Sequence, residues 1–241
     1  MNNGSTKSGR IDFYFDPMCP YAYQTSIWIR DVRRQTALGI DWKFFSLEEI
    51  NRPEGKKHPW EREIGYGWSP LRVAARLRRR DEALCDAWYL ACGRTLHDEG
   101  GKPHDPDTAR RLLVEIGANS DDWDEALADH STHDDVKADH FRAVEAFGGF
   151  GVPIIVFPET WGFPTGQSAT PGKAIFGPVV VPAPLGDDAL ALWNLVKTYA
   201  AIPGLYEIKT PKTTGDIRFI GEAFTPYLRG RDWQSVQNPA P

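Results

Sequence analysis

One cysteine of the chain stands where its sulfur can become reactive. Cys19 follows an apolar run at residues 11–15 that reads as a buried strand, and it precedes a run with helical periodicity that starts at Pro20. A sulfur at the start of a helix lies near unpaired backbone N–H groups and the positive end of the helix dipole. Both features favour the thiolate, which is the reactive form. The sequence therefore predicts a nucleophilic thiol at Cys19.

A second cysteine that could pair with Cys19 in the same motif is missing. A dithiol redox site would carry it at position 22, where this chain has Ala22. The remaining cysteines, Cys85 and Cys92, lie on one predicted helix, and their Cα atoms would be ~10 Å apart. A disulfide needs less than ~7 Å. We therefore expect two core cysteines, and a resolving role of Cys92 towards Cys19 stays open as an alternative.

The dipeptide Val152-Pro153 stands at the start of a later apolar run. A cis peptide bond at this proline would open the Val152 N–H and C=O groups to a thiol ligand lying along them like an added strand. Cis bonds are a minority before proline, ~5–6% in folded proteins. Spacing alone therefore leaves the isomer open.

The hydrophobic pattern predicts the elements that position these residues. Strands are predicted at residues 11–15, 40–44, 153–157 and 174–176. Helices are predicted at residues 20–36, 71–80, 81–96, 107–116, 121–127, 131–147 and 187–200. The order is β-α-β, a helical block, then β-β-α, and the first two strands are expected to be parallel. The sequence predicts an α/β fold, a small mixed sheet with an inserted all-helical lid.

The same pattern divides the chain. Residues 10–60 and 150–205 would form the sheet domain, and residues 61–149 the inserted helical subdomain. Residues 206–241, with scattered prolines and weak periodicity, are predicted to wrap the surface as a C-terminal extension. We expect the last residues, 237–241, to be frayed. A long loop rich in Gly, Pro, Ser and Thr is predicted at residues 159–173.

Composition excludes several classes of function. The chain has 241 residues, a net charge of −5 and an apolar fraction of 41%, so no basic field indicates a nucleic acid partner. No apolar stretch approaches the ~20 residues of a membrane span. The polar first ten residues are unlike a signal peptide, and three cysteines are unlike a secreted disulfide framework. We expect a cytoplasmic protein.

Other candidate motifs favour structural interpretations. His130, His133 and His140 fall on one face of a single predicted helix, and we interpret that face as solvated and polar rather than as a metal site. The glycines at 148, 149 and 151 precede a strand, whereas a phosphate loop precedes a helix. No Gly-x-Gly-x-x-Gly fingerprint of a nicotinamide or flavin cofactor occurs. His97 falls in a polar loop, and spacing favours a surface position for it.

Taken together, these motifs resemble the DsbA-like branch of the thioredoxin superfamily, and most closely the mycothiol-dependent nitroreductases of actinobacteria. The resemblance extends from about residue 11 to residue 209. It is carried by Phe-Asp-Pro-x-Cys-Pro at 15–20, Ser46-Leu47, Ile50-Asn51, Trp68-x-Pro70-x-Arg72-Val73, His97-x-x-Gly100, Val152-Pro153, Phe176-Gly177-Pro178, Leu192-Trp193 and Glu207-x-Lys209.

The resemblance implies a thioredoxin-like fold and mycothiol as co-substrate, with no metal, flavin or nicotinamide. Cys19 would be the attacking thiol, and Val152-Pro153, with its cis bond, the backbone that receives the thiol ligand. Asn51 and His97 would line the cleft between sheet and lid. The thiol-binding and substrate-binding set is completed by Pro20 and by Tyr21, which takes the place of a tryptophan.

One departure from the family pattern changes the expected chemistry. The family usually carries Cys-Pro-Trp-Cys, and this chain carries Cys-Pro-Tyr-Ala at 19–22. No internal disulfide can form in this motif. A cycle with one protein thiol remains, in which Cys19 forms a mixed disulfide and a second thiol molecule resolves it.

Three functions stay open from the sequence. The leading hypothesis is an oxidoreductase with one active-site cysteine that reduces a small electrophile, such as a nitroaromatic, or a mixed disulfide with mycothiol. The second is a thiol S-transferase or isomerase resembling kappa-class glutathione transferases and hydroxychromene carboxylate isomerases. The third is a non-catalytic binding module. The expected partners are a small thiol and a small electrophile, and the sequence leaves monomer and homodimer open.

Overall fold

The computed structural model describes residues 9–164 and 171–231. The strands are β1 (Arg10–Phe15), β2 (Gly39–Phe44), β3 (Ile154–Phe157) and β4 (Lys173–Phe176). The α-helices are α1 (Pro20–Thr36), α2 (Leu47–Ile50), α3 (Trp68–Arg80), α4 (Glu82–Gly93), α5 (Pro106–Glu115), α6 (Asp122–Ala128), α7 (Ser131–Phe147), α8 (Asp187–Ala201), α9 (Thr214–Ala223) and α10 (Thr225–Gly230). A π-helical turn, Arg94–Asp98, continues α4.

The sheet has the order β2-β1-β3-β4. β1 runs parallel to β2, as the β-α-β pattern predicts, and antiparallel to β3, which pairs in turn with antiparallel β4. Tyr14 near the end of β1 is the partner of Ile154 at the start of β3. The chain therefore leaves β1 and enters β3 at the same edge of the sheet. At that edge, Cys19 follows the end of β1 and Val152 precedes the start of β3. The predicted mixed α/β sheet is confirmed.

The predicted strands and the long helices agree closely with the structure, and α1 has the predicted bounds. Helices α2 to α7 lie between β2 and β3 in the chain, although the division into a sheet domain and a lid stays a prediction. Residues 165–170 of the predicted long loop and residues 232–241 of the C-terminal extension lie outside the described residues. None of the helices in the described ranges is long and apolar enough to cross a membrane.

The C-terminal part of the chain differs from the sequence prediction. No helix was predicted beyond residue 200, but residues 214–230 form the two helices α9 and α10. Thr213 begins α9 with a capping box, in which its hydroxyl accepts the Asp216 N–H and the Asp216 carboxylate accepts the Thr213 N–H. Pro226, at the first turn of α10, suits a helix start because no N–H is needed there.

Alternating residues of the central strands build two hydrophobic clusters on opposite faces of the sheet. The larger cluster contains Phe13, Phe15, Ile155 and Phe157. The smaller cluster contains Tyr14, Ile154, Val156, Ala22, Val152 and Cys19. The reactive position is therefore part of the packed core beneath the edge of the sheet. Cys85 and Cys92 are fully buried in the larger cluster, which confirms the prediction of two core cysteines.

The start of α3 is held by a carboxylate that the sequence pattern did not indicate. The Ser69 hydroxyl accepts the Gly65 N–H at 2.9 Å and so does not cap this helix. The carboxylate of Glu48, in the unpredicted helix α2, accepts the N–H groups of Gly67 and Trp68, each at 2.8 Å. A buried carboxylate thus satisfies the orphan donors of a helix that starts 20 residues later.

The two histidines on α7, His133 and His140, serve as buried hydrogen-bond acceptors. Nδ1 of His133 accepts the indole N–H of Trp68 at 2.8 Å, and Nδ1 of His140 accepts the Ser46 N–H at 3.2 Å. Burial lowers the pKa of each to about 4. His130 is exposed. The predicted solvated face is therefore wrong for His133 and His140, which join α7 to α3 and to the end of β2.

The segment between β1 and α1 is fixed by a buried carboxylate. Asp16 is 1% exposed, and its oxygens accept the N–H groups of Met18 at 2.8 Å and Leu47 at 2.7 Å. These bonds tie the cysteine loop to the start of α2. Burial raises the pKa of Asp16 to about 7 because the two hydrogen bonds offset the loss of water only in part.

We expect the charge of Asp16 to make stability depend on pH. In the folded protein Asp16 holds its proton up to about pH 7, whereas in the unfolded chain it ionises near ~4. Rising pH through this window therefore favours unfolding. The Asp16→Asn variant cannot ionise at this position. From pH 5 to pH 8, its free energy of unfolding should therefore rise by about 2–3 kcal/mol relative to that of wild type. Urea unfolding at the two pH values measures this difference.

The matched control is Asp107→Asn, because the Asp107 side chain is 95% exposed. The difference in unfolding free energy between this control and wild type should be the same at pH 5 and pH 8. A difference between Asp16→Asn and wild type that does not change from pH 5 to pH 8 would contradict the assignment.

Candidate active site

Cys19 is the N-cap residue of α1. Its backbone is extended, with φ −88° and ψ 113°, and its sulfur accepts the Ala22 N–H at 3.4 Å. Pro20 occupies the first helical position, where a missing N–H has no cost. The structure therefore places the sulfur at the helix N-terminus, as the sequence predicts.

The loop before β3 supplies the second partner of the sulfur. The Val152-Pro153 peptide bond is cis. The Val152 carbonyl lies 3.5 Å from the sulfur of Cys19 and accepts its S–H. The structure thus brings together Cys19 and Val152-Pro153, which are far apart in the chain, and it fixes the isomer that the sequence left open.

The predicted thiolate is not what this environment favours. Cys19 is 6% exposed, and burial raises the pKa of its thiol to about 12. The N–H groups of Ala22 and Tyr21 lower the pKa, and the nearby charge of Asp16 raises it. Desolvation is the largest effect because the thiolate would lose its water and these two N–H groups replace it only in part. In this covered position the thiol is therefore favoured over the thiolate that the helix N-terminus alone predicts.

His97 lies under the cysteine loop rather than on the surface. It belongs to the π-helical turn, is 3% exposed, and its Nε2–H donates to the Pro17 carbonyl at 2.9 Å. Burial lowers its pKa to about 4, so the ring is neutral. The surface position favoured by spacing is wrong because the ring packs against Tyr23 and Tyr227 and bonds to the Pro17 carbonyl. His97 holds the loop that precedes Cys19.

Tyr23 and Asp98 fix the orientation of this histidine and were not singled out from the sequence. The Tyr23 ring stacks on His97 with 5.0 Å between centroids, and its hydroxyl donates to the Asp98 carboxylate at 2.5 Å. Tyr23 lies one helical turn after Cys19 on α1, and Asp98 adjoins His97. The four-residue spacing of Cys19 and Tyr23 was the signal available for Tyr23.

The C-terminal helices cover the site. Phe224 packs edge-on against Tyr21 with 5.0 Å between centroids, and Tyr227 of α10 lies 5.3 Å from His97. Phe224 is 7% exposed. Neither residue was predicted from the sequence, although Ile217, Ile220, Phe224 and Tyr227 have helical spacing.

Asn51 is the predicted site residue that stands apart from this hydrogen-bonded group. It is exposed, it ends α2, and its side-chain N–H donates to the Leu47 carbonyl at 2.9 Å. Its neighbour Ile50 packs against the cluster that contains Cys19. Pro20, Tyr21, His97, Val152 and Pro153 lie in the cysteine loop, in α1 or in the segments packed on them.

Comparison with known proteins places this geometry in context. Residues 18–210 match the Rv2466c-like family model, described as mycothiol-dependent nitroreductase Rv2466c. The chain is 52% identical over 226 residues to the protein named Rv2286c, an uncharacterized protein of Mycobacterium tuberculosis (strain ATCC 25618 / H37Rv). That match covers 94% of this chain and 92% of the relative.

Solved structures share the fold at low sequence identity. The cytosolic disulfide reductase DsbM from Pseudomonas aeruginosa with GSH is 14% identical, with a TM-score of 0.53 and coverage of 78% of this chain and 98% of that chain. A 2-hydroxychromene-2-carboxylate isomerase is also 14% identical, with a TM-score of 0.54 and coverage of 78% and 94%. These likenesses establish the thioredoxin-like fold.

The family match spans both segments that meet at the sulfur, the cysteine motif and the Val152-Pro153 loop. It also spans the helices between them. On this evidence of sequence and geometry, the chain belongs to the Rv2466c-like family, that of the mycothiol-dependent nitroreductase Rv2466c.

Proposed function

We propose that the protein is a thiol-dependent oxidoreductase that uses Cys19 alone. Mycothiol is its electron donor, and a small electrophile such as a nitroaromatic, or a mixed disulfide, is its substrate. The observation that carries the proposal is the sulfur at the N-terminus of α1, 3.5 Å from the carbonyl of Val152 and without a cysteine at position 22. Membership in a family of thiol-dependent oxidoreductases supports it.

The proposed cycle needs two molecules of the small thiol. When the substrate is a mixed disulfide of mycothiol, the Cys19 thiolate attacks its mycothiol sulfur and the S–S bond breaks. The other half of the substrate leaves as a thiolate and takes up a proton. A second mycothiol thiolate then attacks the sulfur that is bound to Cys19. This step releases mycothiol disulfide and regenerates Cys19, so one disulfide is formed for each one reduced.

The surrounding residues have proposed roles in binding. The Val152 backbone next to Pro153 would pair with the thiol ligand as an added strand. Pro20 and Tyr21 would form the wall beside the sulfur, and Asn51 would contribute a polar group at the rim. His97 would act through the Pro17 carbonyl, which it holds at 2.9 Å, and so position the cysteine loop.

A second candidate function is that of a thiol S-transferase or isomerase. The raised pKa of Cys19 favours it, because a protonated thiol can donate a hydrogen bond to the sulfur of a bound thiolate. Serine at position 19 could replace the thiol in that role, whereas it could not form a mixed disulfide. The Cys19→Ser variant therefore distinguishes the two candidates.

We expect Cys19→Ser to lose all reductase turnover and the mycothiol adduct. Intact-mass spectrometry after incubation with mycothiol disulfide measures the adduct, and peptide mapping assigns it. The matched control is Cys92→Ala, which removes a fully buried thiol and should keep both adduct and turnover. Full turnover of Cys19→Ser would reject the proposal and favour the transferase or isomerase.

We expect a cysteine introduced at position 22 to convert the site to dithiol chemistry. Ala22 donates its N–H to the Cys19 sulfur at 3.4 Å, so the two residues adjoin. In Ala22→Cys, the new thiol should resolve the mixed disulfide on the order of 100-fold faster than external mycothiol, because it is intramolecular. Rapid quenching followed by mass spectrometry measures the lifetime of the adduct.

Ala22→Ser is the control for this experiment, since it has nearly the same size and cannot form a disulfide. Its adduct should live as long as that of wild type. If the adduct on Ala22→Cys decays no faster than on Ala22→Ser, the two positions do not adjoin as the structure describes.

A further inference from the structure

The helices α9 and α10, residues 214–230, form a C-terminal cap over the candidate active site. The family match ends at residue 210, so the cap lies beyond the part of the chain that the family model describes. Neither the sequence pattern nor the family match assigns it a role. Its contacts with the site are specific enough to suggest one.

Aromatic side chains seat the cap on the residues around the sulfur. Phe224 covers Tyr21, and Tyr227 covers His97. Tyr227 also packs on the small cluster formed by Met18, Tyr66 and Leu96. Met18 immediately precedes Cys19, so α10 lies directly over the cysteine loop. The seated cap therefore packs on Met18 and Tyr21, the residues on either side of Cys19 and Pro20.

A close approach of two backbone segments fits α10 to the turn after α4. A Cβ atom on Gly230 would lie 2.7 Å from the Gly100 carbonyl oxygen and 2.9 Å from the Gly101 carbonyl oxygen. A Cβ atom on Gly100, which has a φ of +72°, would lie 3.0 Å from the Pro226 carbonyl oxygen. Only glycine fits both positions without displacing the cap.

The rest of the cap is held weakly. No residue of α9 is buried, and Ile217 and Phe219 are 61% and 50% exposed. Residues 202–213, which connect α8 to the cap, are exposed with the exception of Leu205. A segment with one seated helix, one exposed helix and an exposed connection has the low contact density of elements that open locally.

We propose that the C-terminal cap is a gate over Cys19, which excludes the small thiol when seated and admits it when α10 lifts from the turn at residues 97–101. The biological meaning of this gate rests on the proposed role of Cys19, but its opening can be measured without turnover. Lifting α10 would uncover the cysteine loop, Tyr21 and His97 together. Water would then reach the sulfur and remove the desolvation that disfavours the thiolate.

Substitution of Gly230 tests the gate in the full-length protein. Gly230→Ala should unseat α10, because the added Cβ meets the Gly100 and Gly101 carbonyls. Gly221→Ala is the matched control, since a Cβ there meets nothing within 4 Å. We expect Gly230→Ala to raise the rate of Cys19 alkylation by iodoacetamide at pH 8 on the order of tenfold, and Gly221→Ala to leave it unchanged.

A second variant keeps the proposal testable if Gly230→Ala does not fold. Tyr227→Ala removes the ring over His97 and leaves the α10 backbone unaltered, so it should also accelerate alkylation. Peptide mapping reports Cys19 separately from Cys85 and Cys92, which are fully buried. If folded Gly230→Ala and Tyr227→Ala both react at the rate of the control, the cap does not gate the sulfur and the proposal is wrong.

The outcomes for the gate and for the enzyme can be separated. Accelerated alkylation in a protein that never forms a mycothiol adduct supports the gate and rejects the proposed function. Unchanged alkylation together with a normal adduct and turnover rejects the gate and supports the proposed function.

Discussion

The site depends on one contact, the approach of the Cys19 sulfur to the Val152 carbonyl across 133 residues of sequence. Both segments must reach the same edge of the sheet for this contact to form. The antiparallel pairing of β1 with β3 achieves this, because the chain leaves the one strand where it enters the other. The helices between β2 and β3 return the chain to that edge, and His97 at the end of one of them holds the cysteine loop.

Opposing effects set the pKa of the Cys19 thiol, and burial is the largest of them in this structure. The N-terminus of α1 offers N–H groups that would stabilise a thiolate, but desolvation and the charge of Asp16 both oppose it. The chemistry expected of the family therefore requires that water or a ligand reach the sulfur, and the proposed gate would control that access.

The sequence predicted the parts of this site that depend on local pattern. Strand alternation and the Cys19-Pro20 helix start are local signals, and they gave the sheet, α1 and the position of the sulfur. Resemblance to a known family added Val152-Pro153 as the facing segment. His97 was misplaced because its burial follows from contacts of its ring with Tyr23 and Tyr227, which the hydrophobic pattern does not encode.

The cap and the start of α3 escaped prediction for a similar reason. Glu48 acts on N–H groups far along the chain, and Phe224 and Tyr227 bury themselves against residues near positions 21 and 97. Such contacts depend on tertiary placement. The helical spacing of the cap was present, but glycines at 215 and 221 and a proline at 226 weakened it.

The central claim is that Cys19 works without a protein thiol to resolve its mixed disulfide. The most direct measurement is the decay of a preformed Cys19–mycothiol adduct at increasing concentrations of free mycothiol, followed by rapid quenching and mass spectrometry. The account predicts a decay rate that rises in proportion to the mycothiol concentration. Decay that continues when no free mycothiol is present would contradict it, because a thiol within the protein would then resolve the adduct.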